Sequence, residues 1–168
     1  MGEPHLTRLF RSEPDLAGAA GAAARRWSEA ALHPLLVALH GDLGSGKTTW
    51  VRAMLRGLGY RARVPSPTYT LVEHYVLGTL KVVHLDLYRL AGAEELENLG
   101  LRDWLAEPNV WLLVEWPERA ESLAALADAT LTFEIVDERS RRMTASARTA
   151  AGRAAAGAFA EPDSSKGA

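Results

Sequence analysis

The stretch that most restricts this chain is His40-Gly41-Asp42-Leu43-Gly44-Ser45-Gly46-Lys47-Thr48-Thr49, which fits the spacing G-x-x-x-x-G-K-[ST]. An apolar run, Leu35 to Leu39, precedes it and reads as a buried parallel strand. Trp50, Val51, Met54, Leu55 and Leu58 then recur on one side of a helix that Gly59 should stop. Strand, glycine-rich turn and helix together are the context in which this spacing makes a phosphate site. The glycines let the loop curl until its backbone N–H groups point inward at a helix N-terminus, which is an anion nest. Gly44 and Gly46 carry no Cβ to keep phosphate oxygens away. Lys47 is placed to reach the outer phosphates and the Thr48 hydroxyl to ligate Mg²⁺. Only three of the nineteen cationic residues are lysine, so a lysine here points to a need for a compact ammonium rather than a planar fork.

The bulk numbers narrow the remaining choices. A length of 168 residues suits one domain with a real core. A net charge of −2 gives no strong electrostatic case for a nucleic-acid or membrane-surface binder. The absence of cysteine rules out disulfides and thiolate metal sites. No apolar stretch resembles a signal peptide or a membrane span, so the expectation is a soluble, cytoplasmic protein that is a monomer when isolated.

Taken in order, Ser12-Glu13-Pro14-Asp15 caps a helix running to about Ala31. After the phosphate loop and its helix, Arg61 to Tyr69, with Pro65 and Pro67, reads as a rigid, extended loop and not a helix, on the plainer view a stiff connector. Its place after the first nucleotide-binding helix also suits a switch, with Thr68 near a terminal phosphate. Tyr69 to Val76 and Leu80 to Asp86, around Gly78, read as a hairpin. Ala93 to Leu105 reads as one or two short helices broken near Gly100, and Glu118 to Ala127 as a weak surface helix. Leu131, Phe133 and Ile135 alternate with polar residues, as in an antiparallel-type strand, and Met143 to Ala147 is its partner across an arginine-bearing turn. That turn reads either as a solvated loop or as a contact to phosphates or adenine. Residues 148–168, rich in alanine, glycine and serine, are expected to be a flexible tail behind a single domain over residues 1–147.

Two further runs end in acids: Val82-Val83-His84-Leu85-Asp86 and Val110-Trp111-Leu112-Leu113-Val114-Glu115. In a parallel sheet the carboxyl ends of strands line the ligand crevice, where an acid can hold Mg²⁺ directly or through water. The plainer alternative for each is a solvated or arginine-paired acid. Two of them beside one phosphate loop favour the site. His84 points to the same face as Asp86 and reads as a hydrogen-bonded structural residue. Trp116 either covers the nucleotide, faces a partner or packs in the core.

Four separated motifs now coincide: the loop from Gly41 to Thr49, Ser66-Pro67-Thr68-Tyr69-Thr70-Leu71-Val72, His84-Leu85-Asp86-Leu87-Tyr88-Arg89 and Val114-Glu115-Trp116-Pro117-Glu118. Together they resemble the TsaE (YjeE) family of small bacterial ATPases in tRNA threonylcarbamoyladenosine synthesis, over roughly Glu13 to Ala147. The resemblance implies an α/β, P-loop NTPase-like three-layer sandwich with a mainly parallel central sheet and antiparallel hairpin additions. It implies ATP and Mg²⁺ as cofactors, and TsaD and TsaB as partners, with tRNA met only through their complex. Carried onto matching positions, Leu43, Gly44, Ser45, Gly46, Lys47, Thr48 and Thr49 would hold the phosphates, and Thr48 with Glu115 would ligate the metal. Asp86 would lie at the nucleotide and the metal's waters; Lys47, Asp86 and Glu115 would carry the chemistry. Thr68 and Trp116 would serve as switch and partner elements, and Glu13 and Arg141 look like outlying nucleotide contacts. The competing reading is a small-molecule kinase of the nucleoside or shikimate type, against which no insertion long enough for an acceptor pocket stands out. A guanine-nucleotide switch is disfavoured because no asparagine-lysine-x-aspartate motif occurs.

Overall fold

The computed structural model describes residues 5–159. Strand β1 (Leu6–Phe10) leads to Ser12, whose hydroxyl accepts the Asp15 N–H at 3.2 Å and starts helix α1 (Glu13–Glu29) as its spacing predicted. Strand β2 (Leu35–His40), the phosphate loop and helix α2 (Lys47–Gly57) follow. The hairpin is β3 (Val72–Leu77) and β4 (Leu80–Asp86). Helices α3 (Ala93–Leu99) and α4 (Leu101–Ala106) meet at Gly100, before β5 (Val110–Glu115). A 3₁₀ turn at Pro117–Arg119 and the one-turn helix α5 (Glu121–Ala124) lead to β6 (Ala129–Ile135), β7 (Arg141–Ala147) and α6 (Ala150–Gly157).

One seven-stranded sheet results, in the order β1-β7-β6-β2-β5-β4-β3. Its centre, β6-β2-β5-β4, is parallel, and β3, β7 and β1 join as antiparallel additions. Strands β2 and β5 are covered on both faces, so they are apolar at every position from Leu35 to Leu39 and from Val110 to Val114 rather than at alternate ones. Leu35, Val37 and Leu39 of β2 face a core shared with Trp27 of α1, Trp50 of α2 and Phe159, whereas Leu36 and Ala38 face Leu96, Trp104 and Leu123. These two cores make the three layers.

Two expectations change. Strand β6 is antiparallel to β7 but parallel to β2, pairing Val37 with Ala129. Its alternation reports one well-covered face, not the direction of both neighbours. The chain from Thr149 to Phe159 is not a loose tail. Thr149 caps α6 by accepting the Gly152 N–H at 3.0 Å, and Ala155 and Phe159 are buried. The aromatic rings of Trp27 and Trp50 hold Phe159 edge-on at 5.8 and 5.4 Å. Residues 160–168 of the expected tail lie outside the described residues.

Candidate functional site

Because β2, β4 and β5 run parallel, their carboxyl ends open on one side of the sheet, where α2 begins. There a cleft of about 650 Å³ gathers the residues that sequence reading singled out. The loop from Leu43 to Thr49 lines it, with Asp86 and Glu115 from strand ends. Thr68 comes from the α2–β3 connection and Trp116 from the turn after β5, Glu13 from the start of α1 and Arg141 from the start of β7. Gly41, just beneath, could carry no side chain: a Cβ would stand 2.5 Å from Ser45 Oγ and 2.7 Å from the Phe133 carbonyl.

Asp86 and Glu115 are direct partners in the β4–β5 ladder, so their carboxylates share one face. The Thr48 hydroxyl donates to Glu115 Oε1 at 2.8 Å, bridging the first turn of α2 to the end of β5. Asp86 Oδ1 accepts the Tyr88 N–H at 3.0 Å, and the Thr68 hydroxyl lies 3.4 Å from Asp86 Oδ2. His84 is fully buried with Nε2 3.4 Å from Glu115 Oε2, an electrostatic contact too long and poorly aligned for a strong hydrogen bond. It therefore supports the acid from within the sheet, close to the structural part read for it.

The two acids are tuned apart. Burial pushes the Asp86 carboxyl above its ordinary value, and the neighbouring Glu115 adds to the rise against the Tyr88 N–H. Burial pushes Glu115 up as well, but contacts with His84, the Thr48 hydroxyl and Lys47 together outweigh it and hold this carboxyl below its ordinary value. Glu115 is thus the firm anion of the pair. Desolvation lowers Lys47 despite the opposing pull of Glu115 and Asp86. Lys47 Nζ donates to the Gly41 carbonyl and, at 2.9 Å, to that of Asp42, and stands 4.7 Å over the Trp116 ring. Trp116 adopts a left-handed backbone, φ 56°, and packs on Tyr88 with ring centroids 4.9 Å apart.

The donor set suits Mg²⁺, a hard cation that takes oxygen ligands. Thr48 and Glu115 would hold it, since the hydroxyl gives its proton to the carboxylate and keeps its lone pairs. No group of three or more His, Cys, Asp or Glu placed to hold a metal occurs among the described residues, so such an ion would need phosphate oxygens and water to complete its shell. The buried Ser45 hydroxyl, with no hydrogen-bond partner, is a further polar group awaiting one at the loop.

Arg141 lines the cleft, but its guanidinium is engaged by backbone carbonyls, including that of Gly44. Ser12, Pro14, Ser66, Glu138 and Arg139 also line the cleft. Arg139 belongs to the turn read either as solvated or as a contact to phosphates or adenine, and Ser66 to the Ser66-Pro67-Thr68 motif; Ser12, Pro14 and Glu138 carry no signal as ligands, and Ser12 announces itself only as a helix cap. Arg142 turns away and faces Glu134 at 3.5 Å, as in the solvated reading of the turn.

A family model described as "Threonylcarbamoyl adenosine biosynthesis protein TsaE" matches residues 14–144. The chain belongs to the TsaE family. The tRNA threonylcarbamoyladenosine biosynthesis protein TsaE of Haemophilus influenzae is 44% identical over 104 residues, which cover 62% of this chain and 65% of that protein. The Synechocystis protein of the same name is 42% identical over 90 residues, covering 52% of this chain and 57% of its own. The match thus spans under two thirds of the length of these relatives. A crystal structure of Bacillus subtilis YdiB superposes with a TM-score of 0.73 at 22% identity, covering 95% of this chain and 97% of that one, and so shares the fold.

The paired acids of this TsaE-family chain give a test that needs no nucleotide. An acid whose value is raised on folding destabilises the native state once pH climbs from its unfolded value through the raised one. Asp86→Asn keeps an acceptor for the Tyr88 N–H and removes the charge facing Glu115. With chelator present, its melting temperature should exceed the wild type's by a few degrees at pH 7.5, and the gain should vanish toward pH 4. A variant that melts lower at pH 7.5 would show that the Asp86 charge is a net asset to the fold.

Proposed function

We propose that this chain is a cytoplasmic, Mg²⁺-dependent ATP-binding and hydrolysing protein that serves tRNA threonylcarbamoyladenosine formation at adenosine 37. It acts on a TsaD–TsaB pair to drive that assembly's turnover and does not itself transfer the threonylcarbamoyl group. The tRNA-modifying role rests on family membership and on what the relatives' name says of them. The ATPase part rests on one observation above all: the Thr48–Glu115 bond at the mouth of the phosphate loop, with Asp86 beside it. Phosphoryl transfer to water needs the terminal phosphate fixed, its charge neutralised and a water aligned. Lys47 and the loop amides serve the first two needs, and Mg²⁺ bound at Thr48 and Glu115 would supply further charge neutralisation. Asp86, the acid with the raised value, is placed to orient a water. Arg141 is tied to carbonyls rather than free as a catalytic finger, which supports slow hydrolysis by the isolated chain and completion of the site by a partner.

With terminally labelled ATP, label should appear on water alone, at well under the roughly 10 per second of a median enzyme, and faster with the partner pair added. Label on a metabolite would favour the kinase reading, and fast unassisted turnover would refute completion by a partner.

A further inference from the structure

The turn between β6 and β7 is tied to the phosphate loop by a run of hydrogen bonds. Asp137 Oδ1 accepts the N–H groups of Arg139 and Ser140 at 2.9 and 2.7 Å, closing an Asx turn, and the Val136 N–H closes on the Ser140 carbonyl at 3.1 Å. Arg141 Nη1 donates to the carbonyls of Asp137 and Ser140, at 2.9 and 3.0 Å. The other edge of the same guanidinium, Nε and Nη2, donates to the Gly44 carbonyl at 3.3 and 3.1 Å. That carbonyl belongs to the same planar peptide unit as the Ser45 N–H, which donates to the Asp42 carbonyl at 3.1 Å. The Asp42 carbonyl in turn accepts Lys47 Nζ. The bonds therefore lead from an exposed aspartate to the lysine of the loop.

We propose that Asp137 is a positioning residue of the nucleotide site: with Arg141 it forms a latch that fixes the Gly44–Ser45 peptide and keeps the phosphate loop cupped before a ligand arrives. The proposal rests on the reading of the cleft as a triphosphate site. A loop this rich in glycine has many conformations to lose on binding, so an outside restraint raises affinity by removing them beforehand. Arginine suits the task because its rigid fork can serve carbonyls on two different segments at once, which a single ammonium cannot do at that spread. Asp137 does not line the cleft. It can act on a ligand only through the turn. Its carboxyl is held below the ordinary range by the Arg139 and Ser140 N–H groups, as a turn anchor should be.

Binding of Mg-ATP and of Mg-pyrophosphate to the full chain, measured by calorimetry, separates the possibilities, because pyrophosphate fills the loop without reaching a base site. Asp137→Ala should weaken both ligands equally, by about fivefold, the worth of an ordinary hydrogen bond. Asp137→Asn keeps the Oδ1 acceptor and should restore binding to within about twofold of wild type. Arg141→Ala and Arg141→Lys should weaken both ligands by about tenfold or more. Wild-type binding by Asp137→Ala would overturn the latch, as would an Asn variant as weak as the Ala variant, which would implicate charge instead. An Arg141→Ala variant that loses ATP but keeps pyrophosphate would also overturn it, by making Arg141 a direct contact to base or ribose. A wild-type chain that binds neither ligand would remove the triphosphate reading and the latch with it.

Discussion

Lys47→Ala should reduce ATP hydrolysis by at least about a hundredfold while leaving the fold standing. In the structure the ammonium is already stripped of most of its water. Lys47 is 5% exposed, its charge compensated by the Gly41 and Asp42 carbonyls and by nearby Glu115 and Asp86. A terminal phosphate arriving at such a group meets a cation with little hydration left to displace, in surroundings where charge is weakly screened. Losing one preorganised donor to a developing charge typically lowers turnover by about 10²–10³, or about 2.7–4 kcal/mol. Stability responds differently. The Asp42 carbonyl keeps the Ser45 N–H as a partner, and removing a desolvated charge offsets the lost contacts. A melting temperature within about 4 °C of wild type, with phosphate release lost, is the expected pair of results. An alanine variant that hydrolyses ATP within threefold of wild type, or one inactive only because it is unfolded, would refute this account of the lysine.

The contrast between what sequence revealed and what it hid follows from range. The phosphate loop is legible because its demands are local: glycine where a Cβ would strike Ser45, lysine and threonine at the first turn of α2. Asp86 and Glu115 are legible because a run of apolar residues ending in an acid marks the exit of a buried strand; their register as direct partners then follows from the sheet. Strand β1 escapes notice because five residues at a sheet edge are placed by β7, more than a hundred positions away, through pairs such as Leu6 with Ala145. Pro14 and Glu138 reach the cleft through tertiary placement of α1 and the β6–β7 turn; their neighbours Glu13 and Arg139 point toward it, but neither residue does so itself. The hydrogen bonds of Arg141 to Gly44 likewise join residues 97 positions apart. Helix α6 is hidden for another reason. It is eight residues of alanine and glycine around one arginine, with no large apolar side chain to mark the buried face, so its composition resembles that of a flexible segment.

That hidden helix carries the largest stability effect expected in this chain. Gly152 lies against the end of the α5–β6 connection, where a Cβ would stand 1.8 Å from the Asp128 carbonyl oxygen and 2.4 Å from its carbon. These are backbone atoms, and they cannot swing aside. Asp128 is pinned on every side: its carboxylate accepts the Leu36 N–H at 2.8 Å and the Thr149 hydroxyl at 2.7 Å, and its carbonyl accepts the Arg148 N–H at 2.8 Å. With Gly152→Val, α6 itself must therefore lift. Lifting α6 breaks the bond from Trp27 Nε1 to the Ala155 carbonyl, 3.0 Å, and withdraws Phe159 from between Trp27 and Trp50. Overpacking of this kind costs about 1–3 kcal/mol, and exposing a buried phenylalanine adds about 1.5–3 kcal/mol. The expected total is about 3–5 kcal/mol, a fall in melting temperature of roughly 10 °C or more for a chain of this length. Phe159→Ala should show a smaller loss in the same direction. Removing residues 149–168 should be at least as harmful as the valine, since it bares both tryptophans. A Gly152→Val chain that melts with the wild type would mean that α6 does not rest on Asp128, and the region after Ala147 would then be the loose tail its composition suggests.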